Sequence, residues 1–299
     1  MRILLYGSRG WIGSKVVKLL QSMDHTVIKG QVRTDNKEAV EYEIVQVNPT
    51  HVMCFIGRTH GQIGDKVYST IDYLEQPGKI RDNVRDNLFS PMILGLLCVK
   101  YNIHLTYLGT GCIFQYDEDH PYGREINGYR ECDKPNFFDS AYSTVKGFTD
   151  ELLHLLDNNV LNIRIRMPIT DEDHSRNFIT KITTYEKICN IPNSMTVLND
   201  LLPIIIDLAS NKKTGTFNLT NPGLISHNEI LQMYKEIVDF DFEWINFTVK
   251  EQELILDSGR SNNFLDTTLL QELYPNIKHI KESVRDILHT MKNNRNEQY

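Results

Sequence analysis

The sequence predicts an α/β protein: a doubly wound parallel sheet followed by a smaller C-terminal α/β region. Three observations predict it. A short apolar run, Arg2–Tyr6, stops at a glycine turn and passes straight into a helical pattern. Apolar runs of strand length then alternate with helical periods as far as Pro168, and beyond Pro168 that alternation weakens. Strand–helix alternation builds a parallel sheet with helices on both faces. The two regions are therefore placed at 1–168 and 169–299, with the chain free to cross between them.

Composition narrows the function classes. A chain of 299 residues, 40% hydrophobic and 24% charged, can bury a sizeable core and is not a disordered one. Its net charge of −7 argues against nucleic acid or an anionic membrane as the main partner. A phosphorylated small molecule needs only a few local cations and stays open. The five cysteines are odd in number and lack C-x-x-C or zinc spacing, so a reducing compartment is expected and no metal centre. Cys54 and Cys98 lie in apolar runs and read as packed thiols. No signal peptide precedes the first strand and no apolar stretch is long enough to span a bilayer, so the expectation is cytoplasmic.

The first strand leads into Gly7-Ser8-Arg9-Gly10-Trp11-Ile12-Gly13. Gly7 permits a tight turn, Gly10 lets backbone approach a pyrophosphate, and Gly13 lets helix pack on strand. The helix N-terminus then faces the negative charge. This is a dinucleotide site of Rossmann type, with Gly7, Arg9, Gly10, Trp11, Ile12 and Gly13 as its binding residues. Ile12, Val16, Val17, Leu19 and Leu20 are the expected buried face of the helix. Residues 25–29 form the second strand. No acidic side chain ends it to accept from a ribose 2′-OH; Lys29, Arg33 and Arg9 stand nearby instead. NADPH is the expected cofactor, with NADH as a tolerated second; the alternative is that these cations are only solvated surface.

A helix over 35–48 and a third strand over 51–56 follow. Gly57 and Arg58 come next, at a strand C-terminus where ligands of doubly wound sheets collect. A long helix is expected over 80–100, with Asn83 and Asn87 one turn apart. Asn87 is assigned to the cofactor site, the alternative being a polar helix face. The fourth strand, 103–108, runs into Gly109-Thr110-Gly111-Cys112-Ile113-Phe114. Residues 116–138 are polar and rich in Gly and Pro, hence a functional lid or a disordered span. A helix starts near Ser140 and carries Tyr142 and Lys146 at i and i+4, on one face. Residues 161–166 alternate as a further strand that ends at Met167-Pro168.

Beyond Pro168 the expected elements are a helix from Asn177, a loop over 191–195 and a helix over 201–209. A short strand over 216–219 and a capping box at Ser226/Glu229 follow. Two terminal helices, 267–273 and 280–291, complete the chain, and its last eight residues are expected to fray.

Tyr142 can protonate an alkoxide as hydride arrives at a ketone. A free phenol, with a pKa of about 10, is a poor acid for that near neutrality. Lys146 would lower it while gripping the nicotinamide ribose, and Thr110 would hold the carbonyl oxygen. The alternative is an exposed helix pair. Position after the fourth strand of a chain that opens on a dinucleotide turn favours the active-site reading.

At these residues the chain resembles the nucleotide-sugar branch of the extended short-chain dehydrogenase/reductases. Within that branch it is similar to the bifunctional UDP-4-keto-6-deoxyglucose 3,5-epimerase/4-reductases of rhamnose synthesis. The matching segments include Gly109–Phe114, Arg166-Met167-Pro168-Ile169, residues 176–182, residues 191–196, Thr220-Asn221-Pro222-Gly223, residues 226–231 and Arg260-Ser261-Asn262-Asn263. They cover most of the chain. The loop over 57–78 departs from the family pattern.

The resemblance implies a use for Cys112. Dehydratases of the superfamily carry an Asp-Glu pair after the catalytic threonine; here Gly111 and Cys112 stand there, so a separate 4,6-dehydratase would have to supply the 4-keto substrate. Enzymes that epimerise before reducing place a cysteine at that spot. Cys112 becomes the candidate base and Lys181 the candidate acid for inversion at C3 and C5. A thiol of pKa about 8.5 needs nearby positive charge for that task. Phe114, Asn177 and Arg260 are implied on the substrate, Arg260 at its diphosphate, and Met167 on the cofactor. For Cys112 a small packed thiol, and for Lys181 and Arg260 a solvated cation, remain the alternatives. The implied activity is conversion of UDP-4-keto-6-deoxy-D-glucose to UDP-β-L-rhamnose. A 4-reductase alone and a non-catalytic NADP-binding regulatory subunit are the other readings. The choice of UDP or dTDP is open, as is pairing into a homodimer.

Overall fold

The structure, a computed structural model, describes residues 1–156 and 158–296. Six strands share one sheet: β1 (Arg2–Tyr6), β2 (Thr26–Lys29), β3 (His51–Cys54), β4 (His104–Thr110), β5 (Val160–Ile165) and β6 (Gly215–Asn218). Their spatial order is β2-β1-β3-β4-β5-β6, and β1 pairs parallel with both β2 and β3, as β3 does with β4. The order reverses between β1 and β3. Ligands of doubly wound sheets bind at that crevice, outside the strand C-termini. The Gly7 turn and the Gly57 loop lie there in sequence, each directly after one of these two strands.

Every residue of β3 and of β5 is buried. That is the pattern of a parallel strand covered on both faces, and it replaces the alternation expected over 161–166. The polar members of β5 are therefore satisfied inside. Arg164 Nη2 lies 2.5 Å from Asp150 Oδ2, and Arg164 Nε donates to Asp150 Oδ1 at 3.0 Å. Asn162 donates to the same carboxylate at 2.7 Å. Removing one partner of such a pair leaves a buried charge uncompensated. Arg164→Met is accordingly expected to cost about 3–5 kcal/mol in urea unfolding, and Arg164→Met/Asp150→Asn to recover a good part of it.

Helix α1 (Trp11–Ser22) buries Gly13, Val16, Val17 and Leu20, while Ile12 and Leu19 are only half-buried. The expected long helix is helical throughout 80–100, with one π turn at Arg85–Phe89 between Ile80–Val84 and Ser90–Lys100. Pro91 explains the π turn. It has no N–H to offer the Asn87 carbonyl, which accepts from Thr149 Oγ1 instead at 2.7 Å. Leu4, Val52, Leu94 and Leu105 pack one core cluster of the sheet together with the fully buried thiols of Cys54 and Cys98.

The chain divides into two compact units and crosses between them repeatedly. The first holds 1–113, 134–164 and 202–217, and the second holds 114–133, 165–201 and the residues from 218 onward. The division after 164 lies near the expected boundary at 168; residues 114–133 and 202–217 each belong to the unit of the other region. In the second unit Ile169, Ile179, Met195, Val197, Ile230, Leu231, Val284 and Leu288 form a core cluster. Pro168–Ile169 pairs with Thr196–Val197, and Lys187–Cys189 with Ile245–Phe247. The Ser226/Glu229 capping box starts the helix His227–Ile237. Residues 114–133 are ordered. Phe114 stacks on Tyr129 at 4.3 Å and Tyr129 on His120 at 3.6 Å, while Asp117 accepts from the Tyr129 hydroxyl at 2.8 Å. The final helix, Ile280–Asn296, continues through most of the stretch expected to fray; residues 297–299 of that stretch lie outside the described residues. Among the described residues no helix is long and apolar enough to cross a membrane.

Candidate active site

The glycine turn after β1 has the shape a dinucleotide needs. Gly7 sits at φ +84°, and a Cβ there would lie 2.5 Å from the Phe55 backbone; at Gly13 it would lie 2.2 Å from the Gly7 carbonyl oxygen. At Gly10 a Cβ would meet only that carbonyl, at 3.3 Å, so the space over this residue is open. No side chain caps the N-terminus of α1 and its first turn holds no acid. Its N–H groups thus suit a pyrophosphate.

Asn87 and Arg58 shape the second cofactor loop. Asn87 Oδ1 accepts from Arg58 N at 2.8 Å, and Nδ2 donates to Arg58 O at 2.9 Å and to Asn83 Oδ1 at 2.8 Å. The amide is buried and engaged on the protein. Asn87 therefore holds the loop that follows β3. Arg58 Nε in turn pairs with Asp86 Oδ2 at 2.6 Å. Arg33, expected near a 2′-phosphate, makes two hydrogen bonds to Asp35, at 3.0 and 3.1 Å. Lys29 and Arg9 are exposed.

The catalytic group expected in this unit comes together where β4 ends. Cys112 N donates to Thr110 Oγ1 at 3.0 Å, and Ser143 Oγ donates to the Cys112 carbonyl at 2.7 Å. Ser140 caps the helix Ala141–His154 by accepting from Ser143 N, and Glu75 accepts from Ala141 N at 2.7 Å. The loop carrying Thr110 and Cys112 is thereby tied to the helical turn carrying Tyr142. The Tyr142 phenol is bonded to Thr110. Burial pushes the Tyr142 pKa well above its ordinary value, Cys112 pushes it further, and the bond to Thr110 opposes them. Burial brings Lys146 down to about 8.

The expectation that Lys146 lowers Tyr142 has no counterpart in what acts on the phenol, which is burial, Cys112 and Thr110. The ammonium is turned towards β4, where it donates to the Tyr107 hydroxyl and, at 3.5 Å, to the Leu108 carbonyl. Desolvation and the thiol then dominate at Tyr142. Tyr107, Ser143 and Glu75 were missed by sequence reasoning. Ser143 had a signal, three residues after the Ser140 cap; Tyr107 and Glu75 had none, because their partners lie 39 and 66 residues away.

The second unit carries the remaining expected residues, and two assignments change. Asn177 is fully buried and caps the helix Phe178–Thr184. Its Oδ1 accepts from Ile179 N and Thr170 N, and its Nδ2 donates to the carbonyls of Thr170 and Glu172. With its amide filled by backbone, it is a structural cap and not a substrate contact. The Phe114 side chain is also fully buried, stacked on Tyr129, so it packs the loop. Lys181 is half-buried. Its pKa is lowered by burial first and then by the cations Arg176 and Arg260. Arg176 was not singled out from the sequence. Arg260 itself donates to the Ser258 carbonyl at 3.3 Å. Met167 adopts φ +38°, a left-handed conformation uncommon outside glycine, directly after β5 and Arg166. Such backbone strain is the kind found at functional sites.

No family model matches the chain. The L780 protein of Acanthamoeba polyphaga mimivirus is 53% identical over 292 residues, which make up 98% of this chain and 99% of that one. Its crystal structure, described as a UDP-rhamnose synthase, matches with a TM-score of 0.93 over 97% of this chain and 99% of that one. An Arabidopsis thaliana bifunctional dTDP-4-dehydrorhamnose 3,5-epimerase/dTDP-4-dehydrorhamnose reductase is 42% identical over 282 residues, 94% of this chain and 90% of the relative. A dTDP-4-dehydrorhamnose reductase structure from Clostridium acetobutylicum shares the fold, with a TM-score of 0.77 at 19% identity over 96% and 98% of the two chains.

Proposed function

The chain belongs to the family of rhamnose-forming 3,5-epimerase/4-reductases, and from that membership we propose that it converts UDP-4-keto-6-deoxy-D-glucose to UDP-β-L-rhamnose with NADPH. The observation that carries this reading is the linkage of Thr110, Cys112 and Tyr142, a thiol placed beside a phenolic acid and bonded to the same loop.

The 4-keto group acidifies the hydrogens on C3 and C5. Cys112 removes each in turn as base, leaving an enolate, and Lys181 returns a proton to invert the carbon; after each inversion the thiol gives its proton to solvent and the lysine takes one from it. The lowered pKa of Lys181 makes it the readier donor. The Lys146 ammonium is within electrostatic reach of Cys112. A nicotinamide cofactor, when bound, supplies the hydride to C4. Thr110 and Tyr142 hold the C4 oxygen, and the Tyr142 phenol gives the alkoxide its proton. Arg260 and Arg176 offer guanidinium groups to a diphosphate.

Gly111 and Cys112 stand where a dehydratase needs its acid pair, so a separate 4,6-dehydratase supplies the keto sugar. The five free thiols fit a reducing, cytoplasmic setting. The test is turnover of UDP-4-keto-6-deoxyglucose with NADPH in deuterated water, read by mass and proton NMR. The expected product is rhamnose carrying deuterium at C3 and C5, with no conversion of UDP-glucose. A reduced product without deuterium at those carbons would leave a reductase alone.

A further inference from the structure

We propose that Tyr107 is a positioning residue for Lys146, its hydroxyl oxygen accepting from the ammonium and fixing it at the C-terminal end of β4. The proposal rests on Lys146 being the active-site lysine. Period two places Leu105, Tyr107 and Gly109 on one face of β4, and Tyr107 is 1% exposed there. Lys146 Nζ lies 4.5 Å from the Tyr107 ring centroid, and its other hydrogen bond, to the Leu108 carbonyl, is long at 3.5 Å.

A buried ammonium must find partners inside the protein. The ionisable groups that act on this one are Cys54 on β3, Asp150 on its own helix and Cys112 on the loop after β4, besides Tyr107 in direct contact. The charge-assisted bond in direct contact comes from Tyr107. Burial, Cys54, Tyr142 and Asp150 all push the Tyr107 phenol well above its ordinary value, so it stays neutral and leaves its oxygen free to accept. Without that oxygen the charged form of Lys146 is disfavoured further.

The sign follows from the lysine. Its charged form is favoured below about pH 8 and lost above it, so removing the acceptor moves that loss to lower pH. Tyr107→Phe keeps the ring and deletes the oxygen. Its kcat/KM for NADPH, followed from pH 6 to 9, should match wild type within about threefold at pH 6.5, with the alkaline limb displaced downward by about one pH unit. NADPH affinity, titrated by fluorescence at pH 6.5 and 8.5, should weaken selectively at the higher pH.

Lys146→Met should lose at least about a hundredfold in kcat at every pH, and adding Tyr107→Phe to it should change neither readout. An unmoved limb in Tyr107→Phe, or a uniform loss at all pH values, overturns the positioning role while leaving Lys146 in the site. Wild-type turnover in Lys146→Met overturns the active-site reading and this proposal with it. Thermal unfolding of each variant separates these outcomes from failure to fold.

Discussion

Tyr142→Phe should abolish most ketone reduction and still exchange substrate hydrogens with solvent. The expected loss in kcat is about 10²- to 10⁴-fold, the range for removing a positioned general acid. The phenol is bonded to Thr110 at the end of β4, and phenylalanine fills its place with no proton to give. Because burial and Cys112 hold the phenol protonated far above neutrality, its own titration is expected to lie above pH 9, and the lowered lysines Lys146 and Lys181 are the groups whose titration sets an alkaline limb. Deuterium should still enter C3 and C5 of recovered substrate, since Cys112 is held through its own backbone and Thr110 still faces the C4 oxygen. The measurement is NADPH oxidation at 340 nm beside proton NMR of the sugar. Undiminished NADPH oxidation would remove Tyr142 from the mechanism.

Cys112→Ala is the converse experiment. Deuterium at C3 and C5 should fall by about 10²- to 10⁴-fold, and rhamnose should disappear from the products. The substitution is clean because the hydrogen bonds holding this loop run through the Cys112 backbone N–H and carbonyl, to Thr110 and Ser143. Alanine keeps both. NADPH binding should stay within about twofold of wild type, since the dinucleotide cradle lies at Gly7–Gly13. Deuterated rhamnose formed at the wild-type rate would reduce Cys112 to a packed thiol. Together the two variants divide the site, one losing hydride transfer and keeping proton exchange, the other losing proton exchange first.

What was legible in the sequence was local. The strand–Gly7–Gly10–Gly13–helix turn, the Tyr142/Lys146 pair, and the Ser140 and Ser226 caps all rest on contacts within a few residues, and each occupies the element its spacing predicts. Backbone dihedral limits, helical period and cap chemistry act over that range whatever the rest of the chain does. Asn177 shows where such reading stops. Its place at a helix start was readable. That its whole side chain would be filled by Thr170, Glu172 and Ile179 backbone was not.

The tertiary structure decided the partners. It gave Lys146 to Tyr107, Arg164 to Asp150, Asn87 to the Arg58 peptide and Glu75 to the start of the Tyr142 helix. It set a π turn within the helix over 80–100 and moved 114–133 and 202–217 between units. Sequence patterns determine which residues form strands, turns and caps, because those energies are local. Which buried polar group meets which depends on the packing of elements distant along the chain, and burial makes that pairing obligatory without naming the partner in advance.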